Sequence, residues 1–160
     1  GTKVFAEETP VSDEDVVGLS IATRPDCLSV DVMALLSEIQ DNYPDKFIWV
    51  ELGLQTIHRK TAQYIRRGYE TSVFEEAVRK LHGQQIPVIV HVILGLPGET
   101  EEDMLATIEY LNTFPIFGIK LQLLHVLKGT DLEKDFAAGK FDHQQPSFQV
   151  ERCIFGISHG

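Results

Sequence analysis

Apolar residues recur along the chain in two alternating patterns: short unbroken runs, and runs spaced three and four apart. Four unbroken runs predict strands, over 16–22 (VVGLSIA), 47–54 (FIWVELGL), 87–94 (PVIVHVIL) and 118–124 (GIKLQLL). Runs apolar on both faces suit strands covered on both sides, as in parallel sheets and barrels. The gaps carry the helical period. Ser29 is placed to cap a helix whose apolar face holds Met33, Leu35, Leu36 and Ile39. Thr56 is expected to open a shorter helix containing Ala62 and Ile65. Ser72 with Glu75 makes a capping box ahead of Phe74, Ala77, Val78 and Leu81, with Gly83 in the place of a C-cap glycine. Thr100 with Asp103 makes a second box, and Glu101 and Glu102 in that turn favour the helix dipole. Met104, Leu105, Ile108 and Leu111 form its buried stripe, and a last short helix is expected near Asp131.

Strand then helix, repeated about four times, implies an α/β domain of parallel strands joined by crossovers. A doubly wound sheet and a section of a (β/α) barrel both fit. No G-x-G-x-x-G follows any strand, which weakens the dinucleotide-binding sheet. The periodic region is 16–141. Residues 1–15 read as an irregular lead-in and 142–160 as an irregular tail, with a short strand at 152–157.

A length of 160 residues suits one domain. No apolar run is long enough to span a bilayer, so no membrane partner is expected. Lys plus Arg number 14 against 24 Asp plus Glu, a net charge of −10 that argues against a broad electrostatic grip on nucleic acid by this chain alone. Cys27 and Cys153 form no C-x-x-C pattern and read as reduced thiols of a cytoplasmic protein, so no metal site is expected. Gly1 in place of Met fits an excised fragment or a tag scar.

In both architectures ligands bind at the carboxyl ends of the strands. Polar residues gather there. Thr23, Arg24 and Asp26 follow the first strand, with Arg24 and Asp26 placed to pair with each other. The second carries Glu51, Gly53 and Gln55; an ionised Glu51 in an apolar strand needs a partner, a cavity or the barrel mouth. The third carries His91 and then the turn Gly95, Leu96, Pro97, Gly98 and Glu99. The fourth leads to His125, Lys128, Gly129 and Thr130. No Ser-His-Asp set, Walker loop or zinc spacing emerges, so spacing alone reaches a ligand-binding parallel α/β domain and no catalytic set.

The blocks ELGLQT at 51–56, RGY at 67–69 and HVILGLPGET at 91–100 resemble successive signatures of the radical S-adenosylmethionine (radical SAM) superfamily. GLSIATRPD at 18–26 and HVLKGT at 125–130 resemble its bacterial Fe–S oxidoreductase branch, related to the elongator tRNA-modifying radical SAM domain. The resemblance implies a partial TIM-type barrel, the four strands being the third to sixth of six. It implies that Gln55 contacts the ribose or amino-acid part of S-adenosylmethionine. It places Arg67 against the methionyl carboxylate, His91 facing the adenosine, and Gly95, Leu96, Pro97 and Gly98 against the adenine, with Glu51 beside them. Arg24, His125, Lys128 and Thr130 fall on the substrate side, the substrate being unassigned, with RNA or protein among the classes. Gln55, Arg67, His91 and the 95–99 turn are thus expected around one cavity.

Members of the family hold a 4Fe–4S cluster through a C-x-x-x-C-x-x-C-type loop, which this sequence lacks, as it lacks the segment that grips the cofactor's amino group. The expected role is a cofactor and substrate wall, inactive alone. The rivals are a non-enzymatic binding domain on the same half-barrel and an unrelated phosphate-binding TIM-type enzyme, hinted at by Lys128-Gly129-Thr130. Open strand edges and an uncovered inner face predict self-association, or the tail folding back over an edge.

Overall fold

All four apolar runs form strands. The computed structural model describes residues 16–141. In it β1 (Gly18–Thr23), β2 (Phe47–Gln55), β3 (Val88–Leu94) and β4 (Gly118–Leu123) make one sheet in chain order, every neighbouring pair parallel. Parallel neighbours need crossovers, and the helices supply them: α1 (Val30–Asn42), α2 (Arg59–Tyr64), α3 (Thr71–Gly83) and α4 (Glu101–Leu111). A 3-10 turn, Pro25–Cys27, leads into α1, and α5 (Asp131–Ala137) follows β4. The segments 1–15 and 142–160, including the strand expected at 152–157, lie outside the described residues.

Strand alternation gives the sheet two unlike faces. Ile48, Val50, Leu52 and Leu54 of β2 and Val88, Val90, Val92 and Leu94 of β3 are all buried against the helices. They meet Met33 and Leu36 of α1, Phe74, Ala77, Val78 and Leu81 of α3, and Met104, Ile108 and Leu111 of α4. Each of these side chains but that of Ala77 stabilises the fold by about 1.5–3 kcal/mol. The opposite face carries Ser20, Trp49, Glu51, Gly53, Ile89, His91 and Lys120, which are half-buried or exposed. The strands are therefore covered on one side only by described residues, not on both.

The helix starts show which local signals survive packing. Ser29 accepts a hydrogen bond from the Val32 N–H, and the Thr100–Asp103 box forms in both directions. The box expected from Ser72 and Glu75 does not form: α3 begins at Thr71 with Glu70 as its cap. Glu75 instead accepts the Tyr110 hydroxyl of α4 at 2.7 Å, so a tertiary partner has taken the capping carboxylate. Thr56 does not open α2, which starts at Arg59. Its hydroxyl accepts from the His58 N–H and donates to Glu99. Gly83 is the last residue of α3 rather than its cap, and Gln85 takes the left-handed conformation (φ 58°) beyond it. Leu105 is half-buried, while Thr107 joins the buried stripe at 1% exposure.

Candidate functional site

At its carboxyl end β2 breaks register with β3 between Gly53 and Gln55. Gln55 sits at φ 62°, in the left-handed region that non-glycine residues rarely adopt. That twist folds its amide back over Gly53, where an added Cβ would come within 2.5 Å of Gln55 Nε2. The Tyr69 hydroxyl fixes the arrangement, donating to the Gly53 carbonyl at 2.5 Å with Gln55 Oε1 at 3.3 Å. Burial raises the Tyr69 phenol above its ordinary value, against the opposing pull of Arg67 and Arg24, so it stays a donor at neutral pH.

Arg67 is buried at 7% exposure and braces this rim. Its guanidinium donates to the Leu54 carbonyl (3.0 Å), the Thr56 carbonyl (2.8 Å), the Tyr69 carbonyl (3.0 Å) and the Thr71 hydroxyl (3.1 Å). A guanidinium has five N–H groups, so protein oxygens take all but one. Burial lowers its pKa from the ordinary value. Two guanidinium groups approach the Tyr69 ring, with Arg67 Cζ 4.9 Å and Arg24 Cζ 5.4 Å from its centroid. Arg24 pairs with Asp26 through two contacts, at 2.7 and 2.9 Å.

A cavity of about 490 Å³ opens at this rim, within the usual size of small-molecule sites. Arg24, Gln55, Arg67 and Tyr69 give its polar wall, and Ile93, Leu96 and Leu124 its apolar one. Its far side is α5, which has no buried residue. That helix is tied to the body by Arg66–Asp131 at 2.9 Å and by the Tyr64 hydroxyl on Asp135 at 2.7 Å. Arg66, like Gln55, is a left-handed non-glycine residue lining the cavity (φ 55°). Backbone strain of this kind collects at functional sites.

Of the residues expected at one cavity, Gln55, Arg67 and Leu96 line it, as do Arg24 and Thr130. Gly95 (φ 78°), Pro97 and Gly98 (φ 82°) shape the turn that carries Leu96 without lining the cavity themselves. Glu99 faces away: its half-buried carboxylate accepts the Thr56 hydroxyl at 2.5 Å, and burial raises its pKa. His125 and Lys128 are exposed outside the cavity lining. The phosphate loop hinted at by residues 128–130 is not built. The Gly129 N–H donates to the Glu133 carboxylate at 2.6 Å, and the Thr130 hydroxyl caps α5.

His91 and Glu51 belong to a second layer, lower on the open face, because strand periodicity sets them two and four residues below Ile93 and Gln55. Glu51 has its partners. Ser20 Oγ donates to Oε1 at 2.9 Å and Lys120 Nζ to Oε2 at 2.9 Å, which hold the carboxyl below its ordinary range. His91 Nε2 lies 3.1 Å from Glu51 Oε2, an ion-pair distance, but it is not aligned for a hydrogen bond and is buried without a hydrogen-bond partner. Sequence reading missed Lys120, Ser20 and the roles of Tyr69 and Tyr64. The signal for Lys120 was available, a cation alternating with Ile119 and Leu121 in a strand.

The mixed wall fits a small molecule with both apolar and charged parts. It does not fit an iron–sulfur cluster: no group of three His, Cys, Asp or Glu among the described residues could hold a metal ion, and the one cysteine among them, Cys27, is exposed. Among the described residues no helix is long and apolar enough to cross a membrane.

The family model of the radical SAM superfamily matches residues 4–111. The uncharacterized protein YtqA of Bacillus subtilis is 43% identical over 135 residues, covering 84% of this chain and 41% of that protein. Among solved structures, the archaeal Elp3 of Methanocaldococcus infernus, with its N-terminus (1–46) deleted, matches with TM-score 0.68 and 25% identity, over 78% of this chain and 29% of that one. The radical SAM enzyme coproporphyrinogen III oxidase (HemN) of Escherichia coli shares the fold, with TM-score 0.59 and 18% identity, over 85% of this chain and 30% of that one. The four parallel βα units are thus part of a TIM-type barrel, and the chain spans less than half the length of these proteins. Its ordered strands, its glycine-flanked rim and the match of the family model over most of its length together make the chain a member of the radical SAM superfamily.

Proposed function

We propose that this chain forms the S-adenosylmethionine wall and part of the substrate wall of a radical SAM enzyme. The observation that carries the reading is the strained rim, where left-handed Gln55 lies over Gly53 under the Tyr69 hydroxyl and beside a cavity of small-molecule size. When bound, S-adenosylmethionine and a reduced 4Fe–4S cluster supply reductive cleavage of the cofactor, the cluster's cysteines coming from outside the described residues.

The chain's own residues then bind, orient and shield. The Gln55 amide offers a donor and an acceptor to the ribose or amino-acid part, held in place by Tyr69. Arg67 supplies positive charge and its one remaining N–H to the carboxylate. Most of its donors hold the backbone of the rim, so it shapes the site more than it grips the ligand. Ile93 and Leu96 give an apolar wall that excludes water from the adenosine side. The chain's net charge of −10 argues against a broad electrostatic grip on an RNA substrate by this chain alone. Within the described residues β1 and β4 each pair on one side only, and those edges suit either the rest of a barrel or a second copy.

Calorimetric titration of S-adenosylmethionine tests the reading, on the chain and on a whole protein containing it. Gln55→Ala should weaken binding about tenfold, on the order of 1.4 kcal/mol. The whole protein, reconstituted with iron, sulfide and reductant, should release 5′-deoxyadenosine, and the 160-residue chain none. A whole protein that binds no S-adenosylmethionine overturns the assignment; 5′-deoxyadenosine from the chain alone overturns its role as a wall.

A further inference from the structure

The Ser20–Glu51–His91–Lys120 layer has donors to spare on its accessible member, Lys120. The Glu51 carboxylate takes the Ser20 hydroxyl on one oxygen and the Lys120 ammonium on the other, with His91 Nε2 crowding that second oxygen at 3.1 Å. An ammonium has three N–H groups, and Glu51 takes one. His91 Nε2 makes no hydrogen bond. The two N–H groups of Lys120 that Glu51 leaves over suit an acceptor carrying negative charge.

Position supports the same conclusion. Lys120 alternates with Ile119 and Leu121, which pack towards the helix-covered core, so its side chain rises from the open face. Among the described strand residues of that face it is the one lysine or arginine. Its side chain is 53% exposed, while that of Glu51 is only 15% exposed, so the cation is the accessible member of the pair. His91 stands opposite Lys120 in the β3–β4 register and two residues below Ile93, which lines the cavity. Two residues of strand put the layer roughly 6–7 Å beneath the cavity wall. Glu51 fixes Lys120 before any ligand arrives, which lowers the ordering cost of binding.

We propose that Lys120, positioned by Glu51, is a substrate-docking group on the inner wall, and that it takes a substrate bearing an anionic oxygen, a carboxylate or a phosphate. This rests on the reading of the open face as the substrate side of a barrel. The Glu51 carboxylate is only 15% exposed and already faces the Lys120 ammonium, so a substrate entering from the open side meets the two remaining N–H groups of Lys120 first.

Trp49, the chain's only tryptophan, lies on the same face two residues from Glu51 and reports on the layer by fluorescence. The 160-residue chain is titrated with inorganic phosphate and with acetate, and with sodium chloride at matched ionic strength. Phosphate, acetate or both should change Trp49 emission saturably, the stronger of the two naming the group; chloride should not. Lys120→Met should weaken the response at least tenfold, and Lys120→Arg should keep it within about threefold. Glu51→Gln, which releases Lys120, should weaken it to an intermediate degree. Far-UV circular dichroism checks that each variant is folded. No saturable response to either anion, or an equal response from Lys120→Met, overturns the proposal. S-adenosylmethionine affinity is measured on the same variants and should not change with Lys120→Met. If the wild-type chain and the whole protein bind no cofactor but the anion response follows Lys120, the cofactor reading fails and the docking group stands.

Discussion

The two faces of the sheet obey opposite rules. The outer face is a continuous apolar surface in which Val50, Leu52, Leu54 and Val90 are wholly buried, with Phe74 of α3 packed in the same core. The inner face, on the same strands and one residue out of phase, carries a carboxylate, an ammonium, an imidazole and an amide. On the outer side stability comes from area removed from water. On the inner side Ser20, Glu51 and Lys120 hold one another, at little net gain in stability. The folding energy of the domain and its chemistry are thus separated by the pleat of a single sheet. Mutations on one face should read out in stability and mutations on the other in binding.

The outer face should give the largest effect. Phe74→Ala removes a fully buried ring that meets Phe114 edge-on, and should cost about 3–5 kcal/mol in denaturant unfolding. Arg67 sharpens the comparison because it lies behind the rim yet is buried. Arg67→Met leaves the Leu54 and Thr56 carbonyls without their charged donor and should cost on the order of 3 kcal/mol. It should also loosen cofactor binding by freeing the Gly53–Gln55 turn; unchanged stability with weakened binding would make Arg67 a ligand-gripping residue instead.

Two carboxylates give the smallest effect, with opposite signs. Glu99 has its pKa raised by burial, so the folded state takes up its proton first, and stability rises as pH falls through that raised value towards the ordinary 4.5. Glu51 has its pKa lowered by Lys120 and Ser20. Its contribution is present above 4.5 and is lost as pH falls below it, through the lowered value. Unfolding free energy measured against pH should therefore pass through a shallow maximum. Glu99→Gln should flatten the arm above 4.5 and Glu51→Gln the arm below it, each by about 1 kcal/mol or less.

Much of this was legible in the sequence. The four strands, the start of α1 and the Thr100–Asp103 box follow from local pattern, because each is satisfied by residues a few positions away. The failures share one cause. Glu75 reads as a capping residue until Tyr110, 35 positions on, claims it. Glu99 reads as part of a binding turn until Thr56, 43 positions before it, does the same. His91 reads as a rim residue, yet the register sets it two residues lower. Gln55 and Arg67 were identified from resemblance. That Arg67 is spent on backbone carbonyls, and that Gln55 points inward through a left-handed turn, depends on geometry no one-dimensional pattern carries.

The extra residue at the end of β2 has a further consequence. Beyond Gly53 the strand no longer keeps step with β3: Gly53 faces His91, but Gln55 faces Val92, the very next residue. Gln55 keeps the inner phase of Trp49, Glu51 and Gly53, and its left-handed backbone turns the amide back over Gly53. Spacing along the backbone governs this corner as much as residue chemistry does. A chain shortened by one residue between Gly53 and Thr56 could restore an unbroken ladder, a better sheet by every local measure, and would swing the amide out of the cavity.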